Sequence, residues 1–353
     1  MHATAQRPPA RVVVGARLPH PRGPLSAQLI DALATGVDVP GDRDVTTTDP
    51  YGDDLQLALY VAYELHYGGF DGVHDDREWD VSVIGFRRAL EDHFLDAVRA
   101  DLGDLSGVSA VDEMDALSIT PPDGDGVSYL LRDNPSWEQF RDMFAMRSLY
   151  HLKEADPHAW AIPRLRRTAK AAFVAVEFDE FGGGRGSAVH QKLFADLLRA
   201  SELNADNLHY LDQAPGWALA PVNLMSLFGL RRSLRGATVG HLAATEITSS
   251  PGSARLLAGL EALDAPRACR YFYAEHVEAD AVHEQILRTD VVGALLADEP
   301  ELEPDVVLGL RGFLLVENRF DAGLQAAWRD GISLLGDRSV DDCPGDDRPA
   351  DDR

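Results

Sequence analysis

Two kinds of residue are scarce in this chain of 353 residues, and each scarcity argues against a class of protein. There are only two cysteines, Cys269 and Cys343, and they form no CxxC. That speaks against a disulfide framework and against a thiolate zinc site. Basic residues number 33 against 58 acidic ones, a net charge of −25. Such a surface repels nucleic acid and anionic membrane, so neither is expected as a partner. No apolar run reaches the roughly 18 residues that a membrane span needs. The nearest approach, Trp217 to Leu230, is too short and contains Pro221 and Asn223. The stretch after Met1 lacks a continuous apolar segment, so no signal peptide is expected and the expected location is cytoplasmic. No Gly-x-Ser-x-Gly or P-loop pattern occurs. Gly182-x-Gly184 is not a nucleotide fingerprint, because no strand precedes it.

What is present reads as helix. Hydrophobic residues make up 45% of the chain, normal for a globular protein. The length suits one main domain and one smaller one. Residues 1–50 are rich in Pro, Gly and Asp and read as a mostly irregular arm with one helix near Leu25–Ala34. Residues 51–120 read as a small helical region, with apolar periodicity over Leu55–Tyr67 and Glu78–Leu102. Thr120–Gly126 is the strongest linker signal, and residues 121–135 are taken as the linker.

The main domain is expected over 136–330. Ser136-Trp-Glu-Gln139 resembles a capping box and opens a helix to about Ala155. Pro163 suits the first position of a helix over 164–181, which Gly182–Gly184 interrupts before Ser187–Leu203. Further helices are expected at 221–235, 236–248, 253–263, 267–289 and 304–329. No strand-like alternation competes in the C-terminal half, so the expected class is all-α. The Asp-rich segment 336–353 is expected to be disordered.

The richest stretch is Tyr271 to Ile286, free of Pro and Gly. On a helix, Asp280 lies about 40° from His276, and His283 about 20° the other way. Two imidazoles and a carboxylate then share one stripe, a donor set suited to iron, manganese or zinc. A solvated acidic face with incidental histidines is the alternative. Similar donors recur upstream at Glu154, Glu180, His190 and Glu246. Each has a structural alternative. Glu154 can be an exposed helix-end charge, and Glu180, with Glu177 and Asp179 beside it, an acidic surface turn. His190 can be a partly buried helix histidine, and Glu246 can pair with Arg231 or Arg235. Glu246 nonetheless has apolar neighbours in Leu242, Ala243 and Ile247, and a lone buried carboxylate is costly unless it meets a cation. His66 and His74, with Glu64, Asp71 and Asp75 nearby, read better as a solvated loop than as a metal site. Tyr271 and Tyr273 read as packing residues.

Four carboxylates and three histidines on facing helices form the inventory of a carboxylate-rich di-metal site. None of the twelve histidines has a Glu three residues before it, which disfavours a ferritin-like arrangement. The glycines at 182–184 would permit a bend between Glu180 and His190, which a straight helix would leave about 80° apart.

The order Glu154-x25-Glu180-x9-His190-x55-Glu246-x29-His276-x3-Asp280-x2-His283 resembles the ligand set of the haem-oxygenase-like di-iron oxidases and oxygenases. Lys153-Glu-Ala-Asp-Pro-His158, Glu180-Phe-Gly-Gly-Gly-Arg185 and Asn223-Leu-Met-Ser-Leu-Phe-Gly229 are similar to actinobacterial proteins called iron-containing redox enzymes. The resemblance covers roughly 136–330 and leaves 1–120 outside. It implies a haem-oxygenase-like helical bundle with an N-terminal helical extension. It implies two iron ions and no haem, with O₂ as co-substrate. The seven positions would be the ligands, with His151 and His158 as competing donors near Glu154. The substrate would be a small amino-acid-like or fatty-acid-like molecule, oxidised by N-oxygenation, oxidative decarboxylation or C–C cleavage. An external electron donor and a homodimer are compatible partners. A C-terminal ligand helix that is labile before metal binds is also implied. A metal-independent, thiaminase-like member of the fold and a non-catalytic metal-binding helical protein are the alternatives.

Overall fold

The computed structural model describes residues 16–41 and 45–335. The expected tail at 336–353, and the first residues of the expected arm, lie outside them. Every regular element of the described chain is a helix, and among the described residues the β-type pairing is confined to an isolated bridge between Ala16 and Phe70. No helix among the described residues is long and apolar enough to cross a membrane.

The helices are, in order, α1 (Pro24–Thr35), α2 (Asp53–Glu64), α3 (Val81–Leu102), α4 (Ala110–Ser118), α5 (Val127–Asp133), α6 (Trp137–His151) and α7 (Asp156–Ala159). After them come α8 (Arg167–Glu180), α9 (His190–Ala200), α10 (Gly216–Leu230), α11 (Arg235–Ala262), α12 (Arg267–Ile286), α13 (Ala294–Asp298) and α14 (Glu303–Arg329). The all-α class is as the periodicity predicts. Several boundaries differ, and each difference has a local cause.

At α6 the expected cap is present: Ser136 Oγ accepts from the Gln139 amide at 3.4 Å. The helix stops at His151 rather than near Ala155, because Ala155 takes φ +71° and turns the chain. Pro163 sits in a 3₁₀ turn at Ile162–Arg164, so α8 starts later, at Arg167. The region expected to be helical from Glu78 begins instead as a 3₁₀ turn at Asp75–Trp79 before α3.

Helix α10 starts five residues before Pro221, and α11 runs unbroken through Pro251 where two helices were expected. A proline removes one intrahelical hydrogen bond. Here burial outweighs that loss, since thirteen of the fifteen residues of α10 are buried. α12 starts at Arg267 as expected but ends at Ile286 rather than at 289, passing into a π-helical stretch at Leu287–Gly293.

α11 is the central element and packs along both α12 and α14. Its contact with α14 is close. A Cβ on Gly240 would lie 2.0 Å from the Val306 carbonyl oxygen, and one on Gly309 would lie 2.1 Å from that of Ala237. Only glycine allows the two backbones to approach this far. A continuous apolar core runs from Leu25 of α1 through α2, α3, α6 and α10 to Leu324 of α14. The helices of 51–120 therefore share their core with the C-terminal bundle, and α2 lies directly against α10. The buried ion pair of Lys153 with Glu64 adds a polar tie between the two parts. Within the expected linker, Val127–Asp133 forms α5, which packs against α11.

Candidate metal centre

Five segments bring polar side chains into one buried place. α6 leads into the turn that carries Glu154. α8 ends in Glu180, α9 begins with His190, α11 supplies Glu246, and α12 supplies His276, Asp280 and His283. All seven are buried, none more than 7% exposed. They fall into two groups, Glu154 with His190 and His276, and Glu180 with Glu246, Asp280 and His283. Within each group the potential ligand atoms lie within 4.8 Å of one another.

The local causes are legible. Ala155 in the left-handed region swings Glu154 inward, and Gln191 Nε2 donates to the Glu154 carbonyl at 2.9 Å to hold that turn. The triple glycine breaks the helix after Glu180, with φ of +73°, +59° and +80° at Gly182, Gly183 and Gly184. A Cβ on Gly182 would meet the backbone of Val189 and Ala188 at 2.6–2.7 Å. The bend brings His190 Nδ1 to 2.7 Å from Glu180 Oε2, although out of line for a hydrogen bond. On α12 the spacing of four and then three residues stacks the side chains on one face, as helix geometry requires. His276 Nδ1 donates to the Phe272 carbonyl at 2.8 Å, which fixes the ring and turns Nε2 into the site. That Nε2 has no hydrogen-bond partner. It lies 3.8 Å from Glu154 Oε1. His283 Nδ1 lies 3.2 Å from Glu246, 3.6 Å from Glu180 and 3.8 Å from Asp280.

The electrostatics show strain that a cation would relieve. Among the described residues no lysine or arginine pairs with any of the four carboxylates. The arginines weighed as partners of Glu246 are engaged elsewhere, Arg231 with Glu91 and Asp92, and Arg235 with Glu299. Burial raises the Glu246 carboxyl well above its ordinary range, and the charges of Asp280 and Glu180 push the same way. Burial also raises Asp280, partly opposed by His276. Burial alone would depress His276, but the Glu154 carboxylate outweighs it and pushes the imidazole up to about 10. Glu154 is in turn held well below its usual range: burial opposes this, and His151 and His276 prevail. For His190 the Glu180 carboxylate likewise overcomes burial and raises it. Four carboxylates and neutral imidazoles would be balanced by two divalent cations, which fits the set to such ions.

The competing histidines take other roles. His151 Nδ1 lies 3.0 Å from Glu154 Oε1 and flanks the first group. His158 pairs with His241 at 3.0 Å, and burial lowers His158 to about 4. His66 is not a solvated loop histidine: its Nδ1 sits 2.8 Å from Glu78 and it also contacts Arg87. Neither His66 nor His74 joins a metal-type group among the described residues. Tyr273 is buried as expected, whereas Tyr271 is exposed.

Glu177 was legible only as an acidic neighbour. It is buried beside the centre, with both oxygens lacking hydrogen-bond partners, and burial pushes its carboxyl up to about 9. Its position three residues before Glu180 places it on the same face, and that spacing was the available signal. Asp179 differs, being exposed at the rim and 3.3 Å from His283 Nε2.

Comparison with known families gives one match: the family described as iron-containing redox enzyme matches residues 141–318, half of the chain and a span that holds all seven grouped residues. No curated protein matches the chain.

Proposed function

Because this chain belongs to the iron-containing redox enzyme family, an oxidoreductase family of haem-oxygenase-like helical fold, we propose that it is a di-iron oxidase or oxygenase acting on a small organic molecule. Glu154, His190 and His276 would hold one iron, and Glu180, Glu246, Asp280 and His283 the other. No haem enters this reading. The observation that carries it is the buried set of four carboxylates and three imidazoles, with no lysine or arginine among the described residues paired to the carboxylates.

Mixed carboxylate and imidazole ligation lets bound iron cycle between ferrous and ferric states, and so use O₂ as oxidant. The chain's own residues prepare the place. Phe272 holds the His276 ring by its carbonyl, so Nε2 faces inward. Gln191 fixes the backbone at Glu154. The surrounding core, with Phe173, Leu242 and Ile247 buried, excludes water from the donors. His151, against Glu154, is held below its usual range by burial, which favours a neutral ring that can accept or pass on a proton at the edge of the centre. An external electron donor would complete turnover where the organic substrate does not supply all the electrons.

Anaerobic Fe(II) titration should saturate near two equivalents per chain, and O₂ uptake should then depend on iron. Saturation at one equivalent, or tight haem binding instead, contradicts the reading. Two irons without O₂ uptake under any donor would leave a structural metal protein. Turnover in the absence of metal would favour the thiaminase-like alternative.

A further inference from the structure

A second cavity, of about 230 Å³, lies against the metal-type donors. Tyr150, Thr245, Ser249 and His276 line both it and the small space around the donors, so the two are neighbours across one wall. Phe272, Phe313 and Leu256 give the cavity an apolar middle. Its charged residues are Arg147, Arg255, Glu317 and Asp321. Three of these are committed. Arg147 makes a two-point ion pair with Glu317. Asp321 accepts from the Val127 amide at 2.9 Å.

Arg255 is different. Its Nε donates to Ser128 Oγ at 2.9 Å, and its guanidinium lies 4.1 Å over the Tyr129 ring. These contacts fix the plane of the group. It makes no ion pair among the described residues, although the Asp321 charge acts on it from within the same cavity, and its two terminal nitrogens have no hydrogen-bond partner there. The result is a pre-oriented fork that matches a carboxylate. Of the two arginines that line this cavity, Arg255 is the one without an ion pair. Arg255 stands nine residues after Glu246 on α11, about 14 Å along the axis, and its side chain leans back toward the helix N-terminus. Arg255 and His276 line the same cavity, so a molecule held by one end at Arg255 has His276 on the wall of the space it occupies.

We propose that Arg255 anchors the carboxylate of the molecule that enters this cavity, so that its apolar body lies along Phe272 and Phe313 and its far end meets the metal centre. The assignment rests on the di-iron reading for the identity of that centre. The carboxylate selectivity itself does not.

Binding of hexanoate, octanoate and 3-phenylpropanoate, each beside its neutral amide, should be measured by calorimetry on metal-free and Fe(II)-loaded protein under anaerobic conditions. Wild type should prefer at least one carboxylate over its amide about tenfold in both forms. Arg255→Gln should abolish the preference while leaving amide binding unchanged, and Arg255→Lys should keep part of it. Both variants should still take up two equivalents of Fe(II). Absence of binding by every probe, equal binding of acid and amide, or a preference that survives Arg255→Gln would overturn the proposal. So would a preference that appears only with iron present, since that would put the carboxylate on the metal. Failure of iron uptake in wild type with the Arg255-dependent preference intact would sink the di-iron reading alone.

Discussion

Glu177 should destabilise the metal-free protein, and glutamine in its place should reveal by how much. The side chain is 2% exposed, and neither carboxylate oxygen has a hydrogen-bond partner. Burial first, then the charges of Glu180 and Asp156, push its carboxyl from 4.5 up to about 9. At neutral pH the folded chain therefore holds a proton that the unfolded chain has released. Each pH unit between the two values is worth about 1.4 kcal/mol, so from 4.5 to pH 7 the folded state loses about 3 kcal/mol. Glu177→Gln presents a neutral group of nearly the same shape in both states and removes that loss. The amide is harder to bury than a protonated acid, which offsets about 1 kcal/mol and leaves a net gain of about 2 kcal/mol. With an unfolding entropy of about 2 cal/mol/K per residue, the melting temperature rises by about 3 °C. The sign fixes the pH window. Below 4.5 both states are protonated and only the amide's cost of about 1 kcal/mol remains, so the variant melts slightly below wild type there; the difference turns in its favour as pH rises and levels off above about 9. Circular-dichroism melts of metal-free wild type and variant across that range would measure it. A variant that melts below wild type at pH 7, or a difference that does not shrink on acidification, would refute the reasoning.

Three further outcomes are expected. Gly182→Ala places a Cβ 2.6 Å from the Val189 amide at a φ of +73°, so it should cost at least about 2 kcal/mol and weaken iron uptake; a melt and Fe(II) titration equal to wild type would contradict the role of the bend. His283→Ala should keep the helical circular-dichroism spectrum and bind one equivalent of Fe(II), with the loss falling on the Glu180, Glu246 and Asp280 group; uptake of two equivalents would remove His283 from the ligand set. Hydrogen exchange over α12 should slow when Fe(II) is added, because Asp280 and the carboxylates facing it repel one another until cations bind; equal protection in both states would exclude a metal-ordered helix.

Much of the candidate centre is legible along the chain because its geometry is local. His276, Asp280 and His283 share a face through helical periodicity alone, and Glu246 stood out for the apolar residues beside it. The triple glycine announced a break between Glu180 and His190, since successive left-handed residues need no Cβ. The helical class and most elements followed from the same periodicity. Other features depended on segments far apart in the chain. The sorting of the seven donors into two groups follows from where α8, α9, α11 and α12 meet. The early start of α10 ahead of Pro221 needed burial that outweighs a proline, and burial is a property of the packed bundle. Arg231 and Arg235, both near Glu246 in sequence, are drawn to Glu91 and Glu299 instead. Glu177 could not be told from Asp179 by composition, yet one is enclosed and the other faces water. Backbone geometry decides which side chains share a face. Only the tertiary structure decides whether that face meets solvent, an arginine, or three more carboxylates.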